Sequence, residues 1–164
     1  MTDFICVGKV VNTHGIKGEI RILSNFEQKN KVFVPNFKIF IGEEKKEHII
    51  TTFRHHKEYE MITLKDITNI NEVLFYKKEL VYIKRSDLHL KDDEYLLGDL
   101  IGMNVVNENK KLGKVINIVY NNANILMEVA SLKKFYIPIN DNFIKIVDLK
   151  NKEVNVQNAE GLIP

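Results

Sequence analysis

Cysteine is almost absent from this sequence, and its scarcity limits the sites that the chain can hold. The 164 residues include a single cysteine, Cys6, which excludes a disulfide framework and any zinc site built from several cysteines. No apolar run approaches the roughly 20 residues that a membrane-spanning helix needs. The first residues also lack the basic and apolar regions of a signal peptide. The sequence therefore predicts a cytoplasmic protein with no membrane partner.

An excess of charge of one sign is also lacking. The chain has 24 lysines and arginines against 22 aspartates and glutamates, and only three of the basic residues are arginines. A protein whose affinity rests on counterion release from phosphates needs a larger excess of cations, and bidentate phosphate recognition depends mainly on arginine. Any contact with nucleic acid is therefore expected to be local and shared with protein surfaces.

The motifs of common enzyme and metal sites are missing as well. The pair Gly113-Lys114 is followed by valine rather than Ser or Thr, so it is not a phosphate-binding P-loop. None of the three serines lies in a Gly-x-Ser-x-Gly motif, and the histidines lack the spacing of metal ligands on a helix. We predict no catalytic residue, metal, cofactor or small-molecule substrate. One alternative is a hydrolase in which Cys6 and His14 meet across a hairpin, although a buried apolar cysteine is the commoner role in a first strand.

Alternation of period two is what the sequence has in abundance. Segment 19–23 places apolar and charged residues alternately, which is typical of a short half-buried strand, and 59–64 is predicted to form a further strand. Charged or asparagine-rich turns separate these segments. One segment, 69–78, has helical spacing instead and predicts a short helix near the end of the first half. The residues predicted to share one face of this helix are Ile70, Val73, Leu74 and Lys77.

A polar stretch of mixed charge divides the strands into two groups. We interpret residues 85–98 as a linker because their apolar content is low. Residues 1–84 then form an N-terminal domain, and residues 99–164 form a C-terminal domain. Many short strands at nearly regular spacing are typical of small barrels and sandwiches. The sequence therefore predicts an all-β protein made of two small β-barrels in tandem.

The first segment with a potential binding role is 13–21. Its two glycines permit a tight loop with positive φ, so that Lys17 and Arg21 project from a rigid corner. Such a loop offers backbone N–H groups and two cations to a phosphate or to an acidic partner. The alternative interpretation is a bulged loop that closes one edge of a barrel and leaves Lys17 in solvent. The residue types alone favour this second interpretation.

The second such segment is 92–105. Three acidic residues lead directly into three apolar ones, and apolar bulk at this position suggests either docking between domains or a surface for a partner. The residues of this run are Asp92, Asp93, Glu94, Tyr95, Leu96 and Leu97. Further along, Gly102 lies within a predicted strand that begins at Leu100, and glycine there marks a bulge or a close backbone approach. The residue types do not distinguish docking from partner binding.

These two segments resemble the signatures of the RimM family of bacterial ribosome maturation factors. Residues 8–11 and 14–21 resemble the N-terminal signature of that family, and residues 92–95 with 99–102 resemble its interdomain signature. Together with weaker matches near the C-terminus, the resemblance covers nearly the whole chain. The order and spacing of the matches make it specific. The weaker matches are 112–115, 123–124, 137–139, 147–149 and 160–162.

The resemblance implies a fold and a function. The implied fold is an N-terminal barrel like those of translation factors, followed by a PRC-type barrel. The implied function is non-enzymatic: the family binds ribosomal protein nineteen in the head of the 30S subunit, helps the head to assemble and allows 16S rRNA processing to finish. We expect a monomer. A general RNA-binding barrel that acts on free RNA is the alternative function.

The resemblance also assigns roles to residues of the two segments. The expected contacts with the protein partner are Asp92, Asp93, Glu94, Tyr95, Leu96 and Leu97. The candidate rRNA contacts are His14, Lys17 and Arg21. The family usually has two adjacent aromatic residues after the acidic run, whereas here Leu96 follows Tyr95. In its middle segment the family commonly reads His-Lys-Gly, and in this chain Glu58 stands in place of that glycine.

Overall fold

The computed structural model describes residues 3–164, and these residues fold mainly as β-strands. The chain divides into two compact units, Met1–Leu90 and Lys91–Pro164. The all-β prediction is confirmed. The segment that we interpreted as a linker, 85–98, contributes residues to both units. Within residues 3–164, no helix has the length and apolar character that crossing a membrane would require.

The first unit is a closed six-stranded barrel. Its strands follow the order β1-β2-β5-β4-β3-β6 around the barrel, and each neighbouring pair is antiparallel. A one-turn helix, α1, lies between the second and third strands. The elements are β1 (Phe4–His14), β2 (Glu19–Leu23), α1 (Lys29–Val32), β3 (Lys38–Ile41), β4 (Lys46–His56), β5 (Tyr59–Leu64) and β6 (Leu80–Lys84).

Alternation along the strands determines which side chains fill this barrel. In β2, Ile20 and Ile22 are fully buried, while Arg21 between them faces outward. Ile20 pairs with Ile62 of β5, which is also fully buried. Paired residues of an antiparallel ladder point to the same side of the sheet. The inward face is therefore aliphatic, and the outward face is available for charged residues.

The predicted helix of the first unit forms two short 3₁₀ turns, Ile70–Glu72 and Leu74–Tyr76. Val73 and Tyr76 are buried, but Leu74 is 51% exposed. The predicted face was therefore wrong at Leu74. Residues three apart are eclipsed in a 3₁₀ turn. This period places Val73 and Tyr76 on the same side, whereas the predicted α-helical spacing placed Val73 and Leu74 there.

The second unit is a six-stranded sheet with the order β10-β9-β8-β7-β12-β11. The pair β12–β7 is parallel, and the other neighbours are antiparallel. The elements are β7 (Asn104–Asn107), β8 (Lys110–Asn121), β9 (Asn124–Ala130), β10 (Lys134–Pro138), β11 (Ile144–Asp148) and β12 (Glu153–Val156). Its fully buried core residues are Leu100, Val105, Met127, Val129, Ile137, Val154 and Ala159.

The beginning of this unit differs from the prediction. Leu100 does not start a strand but ends a 3₁₀ turn, Leu97–Leu100, and the strand begins only at Asn104. Gly102 therefore lies in a turn, with φ +93°, and not in a strand. Its N–H donates to the carbonyl of Val115 at 2.7 Å. A positive φ rather than a bulge explains why glycine is suited to this position.

Candidate functional site

The loop between β1 and β2 is a tight turn that is fixed to the rest of the barrel. Gly15 and Gly18 have φ +72° and +88°, so the positive φ predicted from the two glycines is confirmed. A Cβ atom on Gly18 would lie 3.2 Å from the carbonyl oxygen of Asn69. The N–H of Ile70 also donates to the carbonyl of Ile16 at 2.9 Å. The loop is therefore packed closely against the 3₁₀ segment.

The three candidate rRNA contacts lie on and beside this loop. His14 ends β1 and Lys17 lies within the loop, and both are exposed. Arg21 faces outward from β2, with its Nη2 atom 3.4 Å from Nδ1 of His14. Its guanidinium carbon lies 5.1 Å from the ring centre of Tyr59, which is within cation–π range. The structure thus brings His14 and Arg21 together and leaves Lys17 projecting at the loop.

A bidentate ion pair lies next to this group. Nε and Nη2 of Arg54 donate to the two carboxylate oxygens of Glu19 at 2.9 and 2.7 Å. The hydrogen bonds from Arg54 are the main reason that the pKa of Glu19 lies below its ordinary value, and the charges of His14 and Arg21 lower it further. No local feature of the sequence marks Arg54 as part of this group, because only the pairing of β2 and β4 with β5 brings it to this surface.

A buried carboxylate lies on the inner side of the same strands. Glu60 is only 3% exposed, and its oxygens lie 3.1 Å from Nζ of Lys29 and 3.1 Å from Nδ1 of His55. A buried charge is tolerated only when it is paired in this way. We interpret the group as structural, since it ties α1 to the end of β4.

The acidic run 92–94 is accessible. Asp92 and Asp93 are exposed, and Glu94 is half-buried. Glu94 folds back on its own turn, where one of its carboxylate oxygens accepts from the backbone N–H of Lys91 at 3.1 Å. The two aspartates therefore offer negative charge to solvent next to the apolar residues that follow.

Tyr95 and Leu97 are half-buried and pack against the core of the second unit. Burial raises the pKa of the Tyr95 phenol, and the negative charge of Asp141 raises it further. The phenol is therefore neutral at physiological pH and keeps its capacity to donate a hydrogen bond. A half-buried aromatic ring with a polar tip is a common type of anchor in protein interfaces.

Leu96 lies between these two residues and behaves differently. It is 3% exposed, and its backbone N–H donates to a carboxylate oxygen of Asp99 at 2.8 Å. A side chain buried to this degree has almost no area to offer a partner. The backbone hydrogen bond of Leu96 therefore helps to fix the position of the segment, while the accessible surface belongs to its neighbours.

The Cys6–His14 alternative is wrong on geometric grounds. Both residues lie on β1, eight positions apart, which corresponds to roughly 26 Å at about 3.3 Å per residue. They cannot meet as a thiolate–imidazole pair. Cys6 is moreover exposed, so our expectation of a buried apolar cysteine was also wrong. Within residues 3–164, no group of three or more His, Cys, Asp or Glu side chains is arranged to hold a metal ion.

Comparisons with known proteins agree with the resemblance over both units. The family model described as the RimM N-terminal domain matches residues 5–88. The model described as the RimM PRC barrel domain matches residues 97–162. The first match lies within the first compact unit and the second match lies within the second. Neither match covers residues 89–96.

Several curated relatives match over nearly their full length. The proteins named ribosome maturation factor RimM of Staphylococcus haemolyticus and Staphylococcus epidermidis are 36% and 33% identical to this chain, covering 96% of it and 97% of each relative. The structure of a proposed 16S ribosomal RNA processing protein RimM from Pseudomonas aeruginosa is 21% identical, with 94% of this chain and 97% of that chain covered and a TM-score of 0.46. The two domain matches and the curated relatives show that this chain belongs to the RimM family.

Proposed function

We propose that this protein is a ribosome maturation factor that binds ribosomal protein nineteen, assists assembly of the head of the 30S subunit and so allows 16S rRNA processing to finish. Membership of the RimM family supports the proposal, because curated relatives at 33–36% identity carry the name ribosome maturation factor. The role is non-enzymatic, and the protein acts as a cytoplasmic monomer.

Selective binding is the physical basis of such a role. A factor that binds immature and mature subunits equally well shifts no equilibrium between them. The protein must therefore bind more tightly to an intermediate arrangement of the head and so lower the free energy of that state. Its affinity then falls as assembly is completed, and the factor is released without any covalent step.

The proposed contact with the ribosomal protein rests on one observation: accessible carboxylates stand directly before a half-buried tyrosine. We place ribosomal protein nineteen against the second unit and segment 92–97. Tyr95 and Leu97 supply apolar area. Asp92 and Asp93 face basic side chains of a partner that itself binds RNA. Leu96 is buried and leaves the contact to these neighbours.

The loop between β1 and β2 supplies a second contact. His14, Lys17 and Arg21 carry positive or protonatable groups at the end of the barrel where the loop is held rigidly. A fixed loop loses little conformational entropy on binding. We propose that these side chains contact phosphates of 16S rRNA in the immature head.

Substitution of the aromatic anchor tests the proposed function. Tyr95→Ala should weaken binding to immature 30S subunits by about 2 kcal/mol, or roughly thirtyfold, as loss of a hot-spot aromatic residue does. Tyr95→Phe retains the ring and should lose much less. The measurements are co-sedimentation with 30S precursors and pull-down of purified ribosomal protein nineteen, carried out with the full chain.

A matched control separates binding from folding. Tyr136 is a 45% exposed tyrosine on β10, so Tyr136→Ala removes the same side chain elsewhere in the second unit and should leave both binding assays unchanged. Far-UV circular dichroism confirms that each variant is folded. Full binding by a folded Tyr95→Ala protein would contradict the proposed site.

A further inference from the structure

We propose that a stripe of charged side chains on the outer face of the first unit binds the phosphate backbone of RNA, and that the β4–β5 hairpin forms one end of it. The inference rests on the proposed function and deepens its rRNA contact. The hairpin has no role in the contact set derived from the sequence. We define the basic stripe as His14, Lys17, Arg21, Arg54, His56 and Lys57.

Strand pairing places these residues on one outward face. Arg21 of β2 and Arg54 of β4 both pair with Met61 of β5, so all three share a row across the sheet. Neighbouring strands lie about 4.8 Å apart, which puts the backbones of the two arginines about 10 Å from each other. The adjacent row, with Ile20 and Ile62, faces the core. Met61 is fully buried, whereas Arg21 is half-buried and Arg54 is exposed. The two arginines therefore lie on either side of a covered methionine on the outer face, although they are distant in sequence.

The stripe extends along the strands from one turn to the other. His14 pairs with Glu19 at one end, and His56 pairs with Tyr59 at the other. These two levels lie two residues on either side of the Arg21 row, a span of about 13 Å at 3.3 Å per residue. Lys17 lies in the turn beyond the first level, and Lys57 lies in the turn beyond the second.

The local charge of this face is as large as that of the whole chain. The stripe has four lysines and arginines, and the carboxylates on its outer face are Glu19 and Glu58, which leaves a formal charge of +2. The buried Glu60 also lies within this span, but it is paired with Lys29. The entire protein also has a formal charge of +2. Glu19 and Arg54 neutralise each other in their bidentate pair. The net positive charge of the face therefore comes from Lys17, Arg21 and Lys57 against Glu58. A near-neutral protein can therefore still present a local surface for an anionic polymer.

The side chains of the stripe are partly fixed before any ligand binds. The guanidinium of Arg21 lies over the ring of Tyr59 and beside His14, and Arg54 is held in place by Glu19. Ordering a long side chain costs free energy on association, so a cation that is already positioned binds a phosphate at a lower cost.

The stripe is suited to RNA rather than to a protein partner. Protein interfaces have an apolar core enriched in aromatic residues, but the exposed apolar side chains here stand singly. Phe53, which precedes Arg54 in β4, is 36% exposed and pairs with the core-facing Ile62. Ile16, in the loop between β1 and β2, is 82% exposed, and Leu23 at the end of β2 is 46% exposed. Isolated exposed apolar residues of this kind are normal on protein surfaces. The middle of the stripe is polar and follows a line, as binding to a nucleic-acid backbone requires.

Removal of the hairpin cation tests the proposal. Lys57→Gln should lower affinity for immature 30S subunits about threefold to fivefold and make the slope of log K against log salt shallower by about 0.7–0.9, because one phosphate contact is lost. Lys46→Gln is the matched control, since Lys46 begins β4 at the end remote from the hairpin. An unchanged affinity and slope for Lys57→Gln would overturn the proposal.

Crosslinking identifies the class of macromolecule that the hairpin contacts. In the full chain, Lys57→p-benzoylphenylalanine is bound to 30S precursors and irradiated, and the adduct is digested with ribonuclease or protease. We expect a crosslink to 16S rRNA, whereas a crosslink to protein alone, or none, would overturn the RNA assignment. If Tyr95→Ala still weakened binding to 30S precursors in that case, only the RNA role of the basic stripe would be refuted. Lack of subunit binding by the unmodified protein would instead refute the proposed function.

Discussion

At the scale of single residues, the ion pair between Glu19 and Arg54 makes a specific contribution to pH-dependent stability. The pKa of Glu19 is below its ordinary value in the folded protein, so its pairing stabilises the fold above the unfolded pKa. This contribution is lost as the pH falls through the lowered folded pKa. We predict that Glu19→Gln removes a small part of the acid-induced loss of stability below about pH 4.5, measured by urea unfolding at a series of pH values.

A double variant distinguishes the ion pair from a general effect of charge. Arg54→Gln should reduce the same part of the pH dependence, because the guanidinium is the main cause of the lowered pKa of Glu19. Combining both substitutions should then have no further effect on that dependence. Additive changes in the two single variants would contradict the assignment to this pair.

The predictability of site residues depends on how local their signal is. His14, Lys17 and Arg21 lie in one continuous segment, where two glycines mark a tight loop, and the sequence was sufficient to group them. Arg54 and Lys57 join the same face only through pairing with β5, which depends on contacts between distant segments. The burial of Leu96 could not be predicted, because the residue types left docking and partner binding open for the apolar residues after the acidic run.

At the scale of elements, the approach of β8 to β9 depends on a glycine. A Cβ atom on Gly113 would lie 2.5 Å from the carbonyl oxygen of Ala130 and 2.9 Å from Cγ1 of Val129. Backbone cannot move away as a flexible side chain does, so the two strands must separate. We predict that Gly113→Ala lowers the free energy of unfolding by about 2–3 kcal/mol, measured by thermal or urea denaturation.

A second glycine provides the control for that prediction. No atom lies within 4 Å of the Cβ position of Gly98, which belongs to the 3₁₀ turn Leu97–Leu100. Gly98→Ala should therefore change the free energy of unfolding by no more than about 0.5 kcal/mol, since alanine is tolerated in helical turns. Equal destabilisation by the two substitutions would show that close packing is not the cause.

The strands were more predictable than the turns that flank them. The bounds of β2 and β5 were predicted to the residue. In β2 the alternation of buried and partly exposed positions explains this success, whereas β5 has three consecutive buried residues, 60–62, and its bounds follow from the turns at its two ends. The segment 69–78 has an apolar spacing that suits either an α-helix or two 3₁₀ turns, and its packing against the barrel decides between them. The start of β7 was placed too early, because the apolar residue Leu100 packs into the core from a turn.

At the scale of the whole molecule, two units with separate cores divide the proposed function between them. In the proposed function, the second unit and segment 92–97 would make the protein contact, and the basic stripe of the first unit would make the RNA contact. Contacts to two components of one particle increase the affinity for a state in which both are suitably placed. This arrangement would make binding selective for a particular stage of head assembly, which is the requirement for a factor that works by binding alone.

The small number of cations in the basic stripe limits how strongly binding to 30S precursors depends on salt. The stripe has four lysines and arginines, and each phosphate neutralised adds about 0.7–0.9 to the slope of log K against log salt. We predict a slope between about −2 and −4 for binding to 30S precursors, measured by co-sedimentation from 50 to 300 mM KCl. A slope near −8 would require more phosphate contacts than the stripe can make. A slope near zero would leave the protein contact as the whole basis of affinity.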